Sequence, residues 1–228
     1  MYFIGLFIMT IGIAVSVKSN LGVSPVSSIP YTMTCIWGVE MGKATIIFHI
    51  FLVFIQFLLL RKNFKLISLL QIAVGVIFGY FTTFCNYLAS FFPTPDNLVV
   101  RVLMMLASTV IIAVGIFLYL PADVIPLAGE GVMSAVSQVT KIEFSKVKMA
   151  FDITMVVVST AACLIMIHSF GSVGVGTVIA AFLVGFILGI INKAFGKYRD
   201  KLLKKSPSVQ VNETTGNEQN PTYVITVS

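Results

Sequence analysis

Six long apolar segments constrain the fold of this chain more than any other feature of its sequence. An α-helix needs about 20 apolar residues to cross the hydrocarbon core of a bilayer. Charged residues make up only 11% of the 228 residues, against about 25% in a typical soluble domain. The sequence therefore predicts an all-α membrane protein with crossings at Tyr2–Val17, Ala44–Leu60, Leu66–Phe92, Leu98–Leu120, Val147–Phe170 and Val173–Phe195.

These segments predict one transmembrane domain over residues 1–198 and a tail over residues 199–228. The tail begins with basic residues, and from Ser206 onward it is polar and rich in turn-forming residues. Such a stretch cannot bury enough apolar surface to fold, so we expect it to be disordered.

The distribution of basic residues predicts the orientation of the chain. With six crossings, 12 of the 15 Lys and Arg residues fall on one side, and only Lys18, Lys43 and Arg101 fall on the other. Basic residues are enriched in cytoplasmic loops, so both termini are predicted to be cytoplasmic. Because the basic residues lie near the predicted membrane boundaries, we expect anionic lipid to be their partner and not nucleic acid.

A weak internal repeat relates the two halves at an offset of 103 residues. This offset places Gly12 on Gly115 and Gln56 on Ser159. The repeats cover residues 2–92 and 98–196, and each holds three crossings. An odd number of crossings per repeat inverts the second copy relative to the first, as in many secondary transporters. The sequence predicts two inverted three-helix repeats.

Each repeat also contains a segment interrupted by Gly and Pro after its first helix, at residues 18–33 and 121–136. Ser24-Pro25 is typical of a helix start, and residues 126–130 carry a second such start. Two interpretations are open: a re-entrant half-helix, or an amphipathic helix at the membrane interface. Helix N-termini at membrane depth would suit anionic or carbonyl-bearing ligands.

Residues around these segments carry a resemblance to a known family. They are Gly5-Leu-Phe-Ile, the run Gly12 to Tyr31, Gly115-Ile, the run Pro126 to Gly131, Phe151-Asp152 and the run Gly176 to Ala180. The chain resembles the YczE/YyaS/YitT-type family of bacterial integral membrane proteins over residues 1–197. The resemblance implies a multi-pass protein of the bacterial plasma membrane, and it supplies no catalytic or binding residues.

The interrupted segments supply the candidate substrate-binding residues, to which an amide in the third crossing is added: Asn20, Ser24, Pro25, Ser27, Ser28, Gly129, Glu130, Gly131 and Asn86. Asn86 is grouped with further helical amides, Gln56 and Gln71, whose commoner use is hydrogen bonding between helices. Their role is left open between substrate contact and helix packing.

Three ionisable residues are candidates for proton coupling: Glu130, Asp152 and His49. A carboxylate at membrane depth is costly, and burial raises its pKa. The alternatives are a loop glutamate at Glu130, an ordinary i,i+4 pair of Asp152 with Lys148, and a hydrogen-bonded helix residue at His49. With three scattered cysteines and two histidines, we expect no metal, no cofactor and no catalytic residues.

The leading hypothesis is a small-molecule transporter or permease whose unknown substrate binds between the two repeats. The second is an accessory or substrate-binding subunit that assembles with a partner membrane protein. An intramembrane enzyme ranks third, because no catalytic motif is present. A second copy of the chain is a further candidate partner.

Overall fold

The computed structural model describes residues 1–120, 125–169, 171 and 173–202, and the regular structure within them is helical. Two short 3-10 turns, Arg61–Asn63 and Leu66–Leu69, connect α3 to α4. The α-helices of the described part are α1 (Tyr2–Ser19), α2 (Pro25–Trp37), α3 (Met41–Leu60), α4 (Leu70–Ser90), α5 (Leu98–Tyr119), α6 (Ala128–Thr140), α7 (Phe144–Ile167) and α8 (Val175–Leu202).

Six of the described helices are long and apolar enough to cross a bilayer, namely α1, α3, α4, α5, α7 and α8. They coincide with the six predicted crossings. Helices α3 and α7 begin before their predicted starts, because the polar residues Lys43 and Lys146 lie in their first turns and mask the helix in a hydropathy profile. Helix α8 continues through the basic stretch to Leu202, into the predicted tail. Residues 121–124, at the beginning of the second interrupted segment, and residues 203–228 of the predicted tail lie outside the described part of the chain.

The two interrupted segments form the short helices α2 and α6, each 13 residues long. At 1.5 Å per residue each extends about 20 Å, which is less than the ~30 Å hydrocarbon core. Ser24 is the N-cap of α2 and Pro25 its first residue, which confirms the predicted start. Helix α2 ends at Gly38, and α6 ends at Lys141; both of these capping residues have left-handed backbone.

Helices α1 and α5 form the seam that joins the two halves of the chain. A Cβ on Gly5 would stand 2.8 Å from the Gly115 carbonyl oxygen, and one on Gly12 would stand 3.0 Å from the Ser108 carbonyl oxygen. The order of these contacts makes the two helices antiparallel. Glycine allows their backbones to approach closely, as small residues do at helix interfaces within membranes.

The other helices pack around this seam in matching pairs. Helix α4 packs on α1 and α8 packs on α5, while α6 packs on α3 and α2 packs on α7. One pairing has no match: α3 lies along α4, with the Gly42 carbonyl oxygen 2.8 Å from a Cβ on Gly79, whereas α7 does not pack along α8 within the described residues. The outer faces of α7 and α8 carry exposed apolar side chains such as Phe182 and Ile165.

The glycine-rich run before α8 packs on the loop that follows α1. The Gly176 amide donates a hydrogen bond to the Leu21 carbonyl at 2.9 Å, and a Cβ on Gly174 would stand 2.8 Å from the Leu21 carbonyl carbon. Gly22 has a φ of 110° and faces Gly174, so a side chain there would be both strained and crowded. Close backbone packing therefore accounts for these glycines.

The α1–α5 seam yields a stability prediction. In Gly115→Ala the new Cβ would meet the backbone of α1, 2.7 Å from the Met9 nitrogen, so the helices must separate. We expect a loss of about 1–3 kcal/mol, measured as a lower melting temperature in detergent. Gly185→Ala is the matched control, because a Cβ on Gly185 meets no described atom within 4 Å. Equal melting temperatures for the two variants would contradict the importance of the seam.

Candidate functional site

The N-termini of the two short helices lie next to each other. A Cβ on Gly129, in the first turn of α6, would stand 3.7 Å from Cγ1 of Val26 in the first turn of α2. The same point lies 4.0 Å from Cδ1 of Leu52, which is near the middle of α3. Pro25 is the first residue of α2, and Gly129 is the second residue of α6. The structure therefore brings these two predicted site residues into the same region.

The serine hydroxyls at the start of α2 bond to other protein groups. Ser24 donates to Ser27 at 3.0 Å, and Ser28 donates to the Pro25 carbonyl at 2.6 Å. Ser159 of α7 donates to Ser28 at 2.8 Å, and both residues are buried. These hydroxyls thus hold the start of α2 together and attach it to α7.

The start of α6 has a different environment, formed by two glutamine side chains. A Cβ on Gly131 would stand 2.6 Å from Gln71 Oε1 and 2.9 Å from Gln56 Oε1. Gln56 and Gln71 are only 5% and 3% exposed. Neither side-chain oxygen has a hydrogen-bond partner among the described residues. Two buried amide oxygens therefore converge on Gly131, a position in α6 that carries no side chain.

A cavity of about 250 Å³ opens beside these amides, between α3, α4 and α6. It extends toward the α3–α4 connection and the segment that precedes α6. Its polar side chains are those of Gln56, Asn63, Lys65, Ser68, Gln71, Ser134 and Gln138. The cavity thus joins the buried amides to the end of the molecule that holds the α3–α4 connection.

Glu130, which precedes Gly131 in α6, is hydrogen-bonded to a residue of the α1–α5 seam. The Tyr119 hydroxyl donates a hydrogen bond to the Glu130 carboxylate. The Tyr2 ring lies 5.9 Å from the Tyr119 ring, and the Tyr2 hydroxyl donates to the Ile125 carbonyl at 2.6 Å. Burial raises the pKa of Glu130 to about 7, and the Leu127 backbone hydrogen bond and the positive charge of Lys148 oppose this increase.

Asp152 and His49, the other proton-coupling candidates, have partners of their own. Lys148 Nζ lies 2.8 Å from Asp152 Oδ2, which is the i,i+4 pair considered as the alternative. His49 is buried, and its Nδ1 lies 2.8 Å from the Thr45 carbonyl oxygen. The structure therefore gives Glu130, Asp152 and His49 different hydrogen-bond partners, although the charge of Lys148 acts on both carboxylates.

The two asparagine candidates also have structural partners. Asn20 ends α1 in the left-handed conformation, and its carbonyl accepts a hydrogen bond from Arg101 of α5. The Asn86 side chain donates to the Thr82 carbonyl at 2.9 Å. Neither contact brings these residues to Gly131.

Sequence reasoning missed Tyr2 and Tyr119 as members of the site. Both occupy ends of apolar helices, where tyrosine is common in membrane proteins for reasons unrelated to function. The offset of 103 residues does carry a signal for the glutamine site, because it places Ser28 on Gly131 and Ser159 on Gln56. The contact between Ser28 and Ser159 in one half therefore corresponds to a contact between Gly131 and Gln56 in the other.

The apolar helices and the polar site between them define a multi-pass α-helical membrane protein. The chain belongs to DUF6198, a family of unknown function whose model matches residues 1–193. It is 24% identical over 217 residues to the uncharacterized membrane protein YczE of Bacillus subtilis strain 168, a match that covers 91% of this chain and 94% of that protein. These matches confirm the predicted resemblance. No solved structure matches the chain.

The buried carboxyl of Glu130 gives a pH-dependent prediction. Its pKa in the unfolded chain is about 4.3, so the folded protein keeps a proton that the unfolded chain releases. Stability is then greatest below the unfolded pKa and falls as the pH rises to about 7, by ~1–3 kcal/mol. We expect Glu130→Gln to remove this decrease, measured as melting temperature between pH 4 and pH 8.

Glu143→Gln is the matched control, because Glu143 is exposed at the start of α7. It should keep the pH dependence of the unmodified protein. An unchanged pH profile in Glu130→Gln would show that Glu130 is not the titrating group.

Proposed function

We propose that this protein is a small-molecule transporter or permease of the bacterial plasma membrane, with its substrate site between two inverted halves. The halves are α1–α4 and α5–α8. The observation that carries the proposal is a difference between two corresponding sites: the Gln56–Gly131 contact borders a cavity, whereas the Ser28–Ser159 contact is closed by a hydrogen bond.

Residue contacts support the inverted repeat. Under the offset of 103 residues, the contact of Gly5 with Gly115 becomes the contact of Ser108 with Gly12, and both exist. The contact of Gln56 with Gly131 likewise becomes that of Ser159 with Ser28, and both exist. The same offset thus converts each of two separate contacts into a second contact that is also present. This correspondence supports a two-fold arrangement of the halves.

The depth of the short helices supports a re-entrant interpretation. The start of α6 lies near Leu52 of α3, and Ser28 Oγ lies 3.4 Å from the carbonyl oxygen of Met155 in α7. Leu52 and Met155 are both near the middle of helices that can span a bilayer. Irregular backbone at that depth must be buried in protein, and the mutual contact of Val26 and Gly129 supplies such burial.

The unequal sites suit alternating access. In transporters with inverted repeats, one half adopts the conformation that opens a central site to one side while the other half closes the opposite side. A cavity at Gln56 and a closed contact at Ser159 are what one such state would contain. The cavity faces the α3–α4 connection, whose basic residues Arg61, Lys62 and Lys65 are predicted to be cytoplasmic.

Glu130 is the carboxylate that best suits proton coupling in this proposal. It is adjacent in sequence to Gly131, which borders the cavity, and it accepts a hydrogen bond from Tyr119 of α5. A carboxyl with a pKa near neutrality can gain and lose a proton as its surroundings change. Asp152 is less suited because Lys148 neutralises it within one helix.

A different observation favours the second candidate, an accessory subunit that assembles with a membrane protein partner. Gly185 and Gly189 of α8 form a small-xxx-small pattern, and Cβ atoms built on them would meet no described atom within 4 Å. The similar pair Gly75 and Gly79 in α4 packs against α3. Helix pairs in membranes associate through such glycines, so α8 offers a face for a partner helix.

Transport into proteoliposomes tests the leading candidate. Purified protein would be reconstituted with a pH-sensitive dye inside the vesicles and supplied with sugars, polyols, amides, amino acids and carboxylates. We expect uptake of at least one class above protein-free vesicles, accompanied by proton movement. Glu130→Gln should reduce the proton movement at least tenfold, because the neutral amide cannot carry a proton.

Glu143→Gln serves as the control, and Asp152→Asn decides between the two carboxylates. A loss of proton movement in Asp152→Asn alone would reassign the coupling role. Folded protein that moves none of these solutes would contradict the transporter and favour the accessory subunit.

A further inference from the structure

The closed site at Ser28 shows what the open site at Gly131 is missing. In the closed site, the Ser28 hydroxyl accepts a hydrogen bond from Ser159 at 2.8 Å. At the corresponding place in the open site, α6 has Gly131 and α3 has Gln56, and Gln56 Oε1 has no hydrogen-bond partner among the described residues. The space that a serine hydroxyl fills in one half is part of a cavity in the other.

The atoms that border this space include two hydrogen-bond acceptors without a partner, and the Gln71 Nε2 donor stands beside them, 2.8 Å from a Cβ on Gly131. Gln56 Oε1 and Gln71 Oε1 are both buried, and neither has a partner among the described residues. An unpaired buried carbonyl oxygen destabilises the protein, and a bound donor would remove that cost. Two such oxygens near one point suit a solute with two O–H or N–H groups.

The charges around the cavity disfavour an ionic solute. Among the described residues that line it, none carries a carboxylate, and the basic residue Lys65 is exposed at its edge. The lack of a carboxylate disfavours a cation, and an anion at the buried Gln56 and Gln71 amides would have only the exposed Lys65 as a positive residue in the described lining. A buried ion without a compensating charge is costly in a protein interior. The volume of about 250 Å³ lies below the ~300 Å³ at which pockets for drug-sized ligands begin, so the solute must also be small.

We propose that the cavity formed by Gln56, Gln71 and Gly131 binds a small uncharged solute with at least two hydrogen-bond donors, such as a short polyol or a hydroxy amide. This inference rests on the proposed transport function and names its substrate class. One O–H or N–H group of the solute donates to Gln56 Oε1 from the position that corresponds to the Ser28 hydroxyl, which is the acceptor in the other half, and a second donates to Gln71 Oε1.

Two glycine variants in one helix test this site. A Cβ in Gly131→Ala would stand within 3 Å of both glutamine amides and displace them, whereas a Cβ in Gly129→Ala has ordinary contacts of 3.7 and 4.0 Å. Lactamide, glycerol and erythritol would be the neutral probes, and lactate the charged match of lactamide. Binding is read as a saturable rise in melting temperature of the full-length protein.

We expect lactamide or a polyol to stabilise the unmodified protein and Gly129→Ala, with at least tenfold weaker apparent affinity in Gly131→Ala. Polyols also stabilise proteins without binding to a site. This nonspecific increase in melting temperature should be equal in all variants, so a difference between Gly129→Ala and Gly131→Ala reports binding at the cavity. Should Gly131→Ala not fold, Ser134→Leu places a larger side chain at another residue that lines the same cavity. An equal response in the cavity-blocking variant, an equal response to lactate, or no saturable response to any neutral probe would overturn the assignment.

Uptake by proteoliposomes separates this inference from the proposed function. Binding of a neutral probe that is lost in Gly131→Ala but is not accompanied by uptake would support the site and contradict the transporter. Uptake of charged solutes that is unchanged in Gly131→Ala would support the transporter and overturn the site. Uptake of neutral solutes that is lost in Gly131→Ala would support both.

Discussion

Close backbone contact between α1 and α5 is the interaction on which the polar site depends. A Cβ on Gly5 would stand 2.6 Å from the Tyr119 nitrogen, so the absence of a side chain at Gly5 determines where the end of α5 can lie. Tyr119 then reaches the Glu130 carboxylate, and Glu130 precedes the glycine that faces Gln56 and Gln71. A change in the seam would therefore be transmitted to the start of α6.

The two short helices interlock the halves of the chain, because each packs on a long helix of the other half. Helix α2 is held on α7 by Ser28 and Ser159, and α6 is held on α3 by the apolar cluster that includes Leu52 and Val132. Neither short helix is long enough to cross a bilayer, and at the membrane depth proposed above the amide groups at its start need protein around them. The contact between the starts of α2 and α6 supplies this burial mainly through the apolar side chains of Val26 and Leu52. The side-chain oxygens of the nearby Gln56 and Gln71 have no partner among the described residues.

Hydropathy and turn chemistry were sufficient to predict the helices. Apolar length gave the six long ones, and Ser24-Pro25 marked the start of α2 because Pro at the first helical position requires no amide hydrogen. The site was predicted only in part. Gly131 and Glu130 were identified because a carboxylate and glycines in an apolar segment are unusual. The serines of α2 were assigned to substrate, although their hydroxyls bond to one another and to the backbone.

The reason for this difference is that residue type does not reveal hydrogen-bond partners. A helical glutamine in a membrane is usually satisfied by another helix. Gln56 and Gln71 depart from this rule because the facing residue, Gly131, has no side chain, and their oxygens have no partner among the described residues. This arrangement depends on the packing of α6 against α3 and α4, which the sequence does not specify. The repeat offset came closest to predicting the site, since it paired Gln56 with Ser159 and Gly131 with Ser28.

The central claim is that the starts of α2 and α6 meet inside the protein, and cross-linking tests it most directly. Val26→Cys and Gly129→Cys would be combined in a protein whose Cys35, Cys85 and Cys163 are replaced by alanine, then oxidised in native membranes. We expect an intramolecular disulfide, because a Cβ at position 129 lies 3.7 Å from Cγ1 of Val26. Failure to form it, together with labelling of the two cysteines from the aqueous phases on opposite sides of the membrane, would contradict the claim.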